Sequence, residues 1–404
     1  MSLPTIALKP KRDKAILNRH PWIFSGAVQQ LPAVPAGSIV RVADATSKTL
    51  GLAFFDPASQ IVGRMFAFGD HDAEPNKTFW QSRFTDAYQL RQTYITKAYD
   101  NTSASSTDTY RLIHAEGDEL PGIVADVYGG RVVVLQLRTP ATNQRLALWV
   151  ELLQGLGFAH IYLKNKSYDG TGAPAVGENG WQLGGPETAD FGDLVGLEHG
   201  LKFNIDVVNG QKTGFFIDQR ENRHLLRHLA SGKSVLNAFA YSGGFSVAAL
   251  AGGATKVVSV DISKDACALA EGNVSLNFGP EVSHEAIAQD CFAYLKQQPQ
   301  DWDIVVLDPP AFAKNVRAVN NAARGYKELN MQGMRCVKPG GLLFTYSCSQ
   351  LIDRDLFRKI VFGAAADIGR PVRILHQMTQ PLDHPISIYH PEGEYLKGLV
   401  LQIL

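Results

Sequence analysis

A chain of 404 residues, 45% hydrophobic and 19% charged, suits a globular protein of two or three domains with a substantial core. Lys plus Arg balance Asp plus Glu at 39 each, so any nucleic-acid contact has to come from a local patch rather than from net charge. The sequence has no apolar run long enough to span a bilayer and no signal-type start. It has four cysteines (Cys267, Cys291, Cys336, Cys348) without a C-x-x-C pair, which points to the cytoplasm with no membrane span, disulfide framework or metal site.

In chain order, residues 9–20 (KPKRDKAILNRH) carry five Lys/Arg against one Asp, and read either as a solvated arm or as a phosphate-contacting edge. Three short strands follow at 37–44, 49–56 and 61–68, rich in β-branched and aromatic residues, and suggest a small barrel. Residues 77–99 read as a helix with Phe79, Trp80, Phe84, Ala87, Tyr88 and Tyr94 roughly on one face, a pattern of core packing rather than a base-stacking platform. The Ser/Thr-rich stretch 100–109 is a connector. A hairpin over 122–137 turns at Gly129-Gly130, a helix covers 141–156, and strands are predicted at 160–165 and 200–207. This α+β unit has no catalytic signal and reads as a spacer or docking platform. The predicted units are therefore 1–72 (barrel), 73–107 (helical linker), 108–207 (α+β) and 208–404.

From residue 208 strand and helix alternate, with strands at 234–239, 256–261, 285–289, 303–307, 341–346 and 396–403. Alternation predicts a doubly wound, mostly parallel α/β sheet, and ligands of such sheets bind beyond the carboxyl ends of the strands. The strand ends are unusual. The loop Ala240–Gly244 is a glycine-bearing strand–helix turn without G-x-G-x-x-G, which is also compatible with a plain tight turn. Asp261 ends the second strand about twenty residues on, where a carboxylate suits ribose hydroxyls. Asp290 follows the third strand and suits an adenine amino group. Taken singly, each is equally a helix N-cap.

The fourth strand stops on Asp308-Pro309-Pro310. Two prolines fix the backbone and hold Asp308 toward the cleft, a rigidity that suits hydrogen bonds to a planar base. Phe312 is placed to stack on that base and Lys314 to reach a phosphate. The alternative is a stiff loop that merely ends the strand. After the fifth strand comes Cys348, between Ser347 and Ser349. A thiolate that adds to carbon 6 of a pyrimidine makes carbon 5 nucleophilic, which gives such a cysteine a task; Asp308 then takes the acid-side role at the ring nitrogen.

Together these segments resemble the large-subunit ribosomal RNA methyltransferase I family, S-adenosylmethionine-dependent enzymes that make 5-methylcytosine in 23S rRNA. The similar stretches are "KPKRDKAILNRHPWIFSGAV" (9–28), "EGDELPGIVADVYG" (116–129), "GQKTGFFIDQREN" (210–222), "LNAFAYSGGFS", "VVSVDIS", "LDPPAFAK", "YSCSQ" and "HPEGEYLKGLVL" (390–401). The resemblance implies a PUA-like RNA-binding domain, a small α+β middle domain and a Rossmann-like methyltransferase domain. It implies that S-adenosyl-L-methionine lies along Asn237, Phe239, Tyr241, Ser242 and Gly243. Asp261 and Ile262 then meet the ribose, Asp290 the adenine, and Asp218, Gln219 and Arg220 the methionine end. Asp308 faces both methyl donor and base, with Cys348 as nucleophile and Pro309, Phe312 and Lys314 beside the substrate. Lys11, Arg12, Arg19 and Trp22 help grip RNA, and a homodimer is left open. Asn237 stands where many methyltransferases carry an acid. Pro310 stands where another branch of pyrimidine methyltransferases has a second cysteine, so a water or carboxylate has to remove the carbon 5 proton. Rival readings are a guanine or adenine nitrogen methyltransferase using Asp-Pro-Pro without a cysteine, a nucleotide-dependent oxidoreductase, and a non-catalytic RNA-binding protein.

Overall fold

The computed structural model describes residues 3–71, 73–96, 106–165, 179–185, 194–279, 281–313 and 315–404. Lys314 and most of the 100–109 connector lie outside them. The N-terminal unit comprises β1 (Thr5–Leu8), α1 (Lys14–Leu17), β2 (Trp22–Phe24), β3 (Val28–Gln30), β4 (Ile39–Ala43), β5 (Thr49–Phe55) and β6 (Ile61–Phe68). They form one six-stranded sheet in the order β2-β6-β5-β4-β1-β3 around Ile6, Val40, Phe55 and Met65. Strands β1 to β3 escaped the sequence reading because they are three or four residues long. The basic stretch 9–20 is therefore no free arm: it links β1 to β2 across α1.

Helix α2 (Lys77–Arg91) starts at Asn76, whose side chain accepts from Phe79 N. Its aromatic face is core from Phe79 to Tyr88: Trp80 stacks on Phe54 of β5 at 5.6 Å and meets Trp149 edge-on at 5.3 Å, whereas Tyr94, also expected on that face, lies in the turn past the end of the helix and is 55% exposed. Trp149 belongs to the middle unit, which contains β7 (Tyr110–His114), β8 (Ile123–Tyr128), β9 (Val132–Leu137), α3 (Pro140–Gln144), α4 (Leu146–Gly155), β10 (His160–Leu163) and β11 (Gly180–Leu183). Its sheet runs β11-β10-β9-β8-β7, and the hairpin β8–β9 turns at Gly129 and Gly130, both at positive φ. A second hairpin, β12 (Val195–Glu198) and β13 (Leu201–Asn204), follows. The sequence reading grouped it with the middle unit, yet its Lys202 and Asn204 bond to side chains of the third domain.

That domain holds α5 (Arg220–Leu229), β14 (Ser234–Ala238), α6 (Gly244–Ala251), β15 (Lys256–Asp261), α7 (Lys264–Phe278), β16 (His284–Ala288), α8 (Cys291–Gln297), β17 (Trp302–Leu307), α9 (Val319–Cys336), β18 (Val337–Ser347), α10 (Arg354–Ile368), β19 (Val372–Thr379) and β20 (Lys397–Ile403). The seven strands are ordered β16-β15-β14-β17-β18-β20-β19, and only β20 runs antiparallel to its neighbours. Central strands are mostly apolar because helices cover both faces; Ile304 to Leu307 of β17 are all at most 1% exposed. β19 was missed in the sequence: it is an edge strand exposed at five consecutive residues, so no apolar pattern marks it.

The domains are locked by buried charge. Asp383, between β19 and β20, accepts two bonds of 2.9 Å from the Arg220 guanidinium and one of 2.9 Å from the Arg111 amide. Its carbonyl accepts from Arg91 of α2 at 2.8 Å. Both Asp383 and Arg220 are fully buried. Replacing Asp383 by Asn leaves the buried Arg220 cation with only the partly exposed Glu221 carboxylate as a charged partner, and urea unfolding is expected to show a loss of about 3 kcal/mol.

Candidate active site

The strand order reverses between β14 and β17, and the carboxyl ends of these strands and their neighbours define the cleft. In the parallel register of β17 and β18, Leu307 pairs with Thr345. Asp308 and Cys348 therefore leave the same edge of the sheet from adjacent strands. Ser349 stitches the two loops together: its hydroxyl meets Tyr326 OH at 2.9 Å and accepts from the Ala313 amide at 3.4 Å.

Asp308 is oriented by Gln219, whose Nε2 donates to Oδ1 at 2.9 Å; Asn222 in turn donates to the Gln219 oxygen at 2.5 Å. Burial, reinforced by the nearby Asp218 carboxylate, pushes the Asp308 carboxyl up to about 7. Asp218 goes the other way. Burial would raise it, but Lys212, 3.1 Å away, and the Tyr395 hydroxyl, donating at 2.7 Å, hold it well below the usual carboxylate range. Two carboxylates driven apart in this manner leave Asp218 an anion while Asp308 still carries a proton part of the time near neutral pH.

Cys348 is the only half-buried cysteine of the four; Cys267, Cys291 and Cys336 are buried. Burial pushes its thiol up to about 11, and the charges acting on it are Lys212, Asp308, Asp218 and Lys397. The sulfur is thus only partly covered and lies within the electrostatic reach of both carboxylates and both lysines. Cys291 and Cys336, by contrast, donate to the carbonyls of Val260 and Leu295 inside the core.

On the opposite side of the cleft, the β14–α6 loop bends through left-handed residues, with φ of 61° at Phe239, 44° at Tyr241 and 69° at Gly243. Asp261 holds this bend: Oδ2 accepts from the Tyr241 amide and Oδ1 from the Ser263 amide, both at 3.0 Å. A Cβ on Gly243 would lie 2.8 Å from Cβ of Ala270, so this glycine lets α7 pack closely against the loop. Ser242 is buried, with its carbonyl bonded to Asn273. Asp290 caps α8 through the Ala293 amide, using one oxygen. Ile262 is 73% exposed beside Asp261.

Other expected site residues are placed elsewhere. The Arg220 guanidinium is paired with Asp383 and Glu221. Asn237 donates to Ser246 within a buried chain that runs through Ser259 to His284. Phe312 packs on Tyr326 at 4.5 Å and neighbours Phe292 at 6.2 Å, while Pro309 is buried. Trp22 lies between domains, its indole N–H on Glu116 at 2.8 Å and its ring 4.4 Å from His390. Lys11, Arg12 and Arg19 are exposed, and the Arg19 guanidinium lies over Phe68 and Tyr389. The sequence reading overlooked Lys212, Tyr395 and Lys397. A lysine opening the apolar run LKGLVL was the available signal for the last.

The cleft fits a methionine-derived sulfonium nucleoside. Asp218 is an ionised carboxylate whose Oδ1 is buried without a partner among the described residues, an acceptor suited to an amino group. Asp261 and Asp290 stand at consecutive strand ends, as a nucleoside's ribose and base require. Asp261→Ala is expected to weaken S-adenosylhomocysteine binding about 10- to 100-fold by calorimetry. For Asp308, the folded state retains a proton between about pH 4 and 7 that the unfolded chain has lost, so its contribution to stability falls as pH rises through that window. Asp308→Asn removes this dependence: its stability relative to wild type is expected to rise from pH 4 to 7 and stay level above, in urea titrations at each pH.

Comparison with known proteins agrees with this geometry. Residues 174–375 match the S-adenosylmethionine-dependent methyltransferase family model and residues 6–68 a PUA-like domain. Ribosomal RNA large subunit methyltransferase I of Cronobacter sakazakii is 39% identical, with 99% of each chain covered. The protein of the same name from Salmonella typhi is 37% identical over 99% of this chain and 98% of its own. A solved protein described as a SAM-dependent methyltransferase from Streptococcus mutans shares the fold, with a TM-score of 0.79 at 23% identity over 98% of this chain and 99% of its own. A solved methyltransferase complexed with SAH, also 23% identical, superimposes with a TM-score of 0.81 over 98% of this chain and 99% of its own.

Proposed function

This chain belongs to the large-subunit ribosomal RNA methyltransferase I family, and on that premise we propose that it methylates carbon 5 of a cytosine in 23S rRNA through a covalent adduct with Cys348. The observation that supports the adduct is that this half-buried sulfur shares one sheet edge and one electrostatic field with Asp308.

Bound S-adenosylmethionine supplies the methyl group that carbon 5 takes up. Asp218, Asp261 and Asp290 would hold its amino, ribose and adenine groups. Asp308, which keeps its proton in a substantial fraction of molecules up to about pH 7, donates in that form to ring nitrogen 3 and makes carbon 6 electrophilic. The Cys348 sulfur forms a bond to carbon 6, its proton leaves, and the electron pair of the ring double bond makes carbon 5 nucleophilic. After methylation a water takes the carbon 5 proton, the double bond re-forms, the sulfur–carbon bond breaks and nitrogen 3 returns its proton to Asp308. A base inside an RNA helix cannot reach such a cleft, so the target is flipped out or single-stranded. Lys11, Arg12 and Arg19 on the N-terminal domain contact the flanking phosphates. The described residues contain no helix long and apolar enough to cross a membrane, and the inferred location is the cytoplasm.

Cys348→Ala is expected to abolish methylation, mapped by bisulfite sequencing of rRNA, and to abolish the adduct that the wild type forms with RNA containing 5-azacytidine. Full activity in this variant would instead favour a base-nitrogen methyltransferase built on Asp308.

A further inference from the structure

Lys397 is a buried base that the scheme above leaves without a task. It opens β20 at 3% exposure, paired with Ser347 in the antiparallel ladder with β18. Its Nζ donates to the Ser349 carbonyl at 2.7 Å. The side chain therefore brackets residue 348, matched to the residue before it and bonded to the residue after it. Lys397 makes no ion pair among the described residues, and an ammonium buried without a carboxylate is costly.

The charged groups around it are Cys348 at the end of β18, Glu394 in the preceding loop, and Asp353 and Arg354 at the start of α10. Nζ makes no direct hydrogen bond to the Cys348 sulfur, its partner being the adjacent Ser349 carbonyl, so a proton passes between them through one water. Burial pulls its ammonium down to about 8, which leaves a usable fraction of free amine near neutral pH. Around Cys348 the other groups are committed: Lys212 pairs with Asp218, and Asp308 is the acid facing the ring.

Building on the covalent reading, we propose that Lys397 is the base that accepts the Cys348 proton as the sulfur adds to the pyrimidine. The S–H bond breaks, its electron pair forms the bond to carbon 6, and the proton moves to the free amine of Lys397. The resulting ammonium returns the proton when the sulfur leaves, so the pair ends the cycle as it began. The Ser349 carbonyl accepts from the nitrogen in either protonation state and holds it in place.

Two measurements test this. The first is iodoacetamide labelling of Cys348 in the RNA-free enzyme, followed by mass spectrometry between about pH 6 and 10. The second is single-turnover methylation at saturating cofactor and RNA. Lys397→Met is expected to move the labelling rise upward by about a unit or more and to slow methylation by about 10²- to 10⁴-fold, the loss easing as pH increases. Lys397→Arg keeps the charge but cannot accept a proton, and is expected to stay impaired. Restored methylation in Lys397→Arg, or an unchanged labelling profile in Lys397→Met, overturns the proposal. S-adenosylhomocysteine binding by each variant reports its folding. If Lys397→Met fails that check, Lys397→Arg and the wild-type labelling profile decide, and a wild-type profile with no inflection near 8 counts against the proposal. Absence of a 5-azacytidine adduct in the wild type refutes the covalent reading and this inference together. An adduct in the wild type formed at the same rate in Lys397→Met refutes this inference alone.

Discussion

Asp383 is the constraint on which the arrangement rests. A fully buried carboxylate has to be matched by donors, and those of Asp383 come from α5, β7 and the adjacent His384, while its carbonyl takes up Arg91 of α2. The linker helix, the middle domain and the catalytic domain therefore meet at a point where none can shift without stranding a charge. The same residue anchors the segment between β19 and β20. That segment delivers Tyr395 to Asp218, ends at Lys397, and presents the Glu392 carbonyl to the Gln350 side chain next to the cysteine loop.

A second polar chain runs from the middle domain into the cleft. Arg111 holds Asp126 through two bonds, Asp126 accepts from Thr213 at 2.6 Å, and Tyr128 bonds both the Thr213 hydroxyl and the Phe215 amide. The loop that carries Lys212, left-handed at φ 50°, is thus shaped by another domain. The middle domain is more than a spacer: it sets where Lys212 stands, and Lys212 keeps Asp218 ionised while Asp308 keeps its proton part of the time. The division of labour between the two carboxylates is an interdomain property.

The outline of the catalytic sheet was legible because its signals are local. Apolar runs ending on Asp261 and Asp308, and the hairpin turning at Gly129-Gly130, are each written within a few consecutive residues. The aromatic face of α2 was legible for the same reason, since helical periodicity marks a buried face whatever covers it. β19 was not, because an exposed edge strand has no apolar face to betray it. The loop glycines stand out in the sequence, but only the packed structure shows Gly243 against Ala270 of α7.

What the sequence determined by itself is the class of fold and the residue types at the strand ends, since both follow from periodicity and from the chemistry of single side chains. Tertiary structure decided the partners. Arg220 sits within the cofactor-like segment 210–222 yet pairs with Asp383, far along the chain, and Trp22 sits in a basic stretch yet bonds Glu116 and packs on His390. A charge or an indole N–H states that it needs a partner without naming it. The name depends on which distant segments folding brings within hydrogen-bond reach, and in this chain that choice separates the residues that bind from those that hold the domains together.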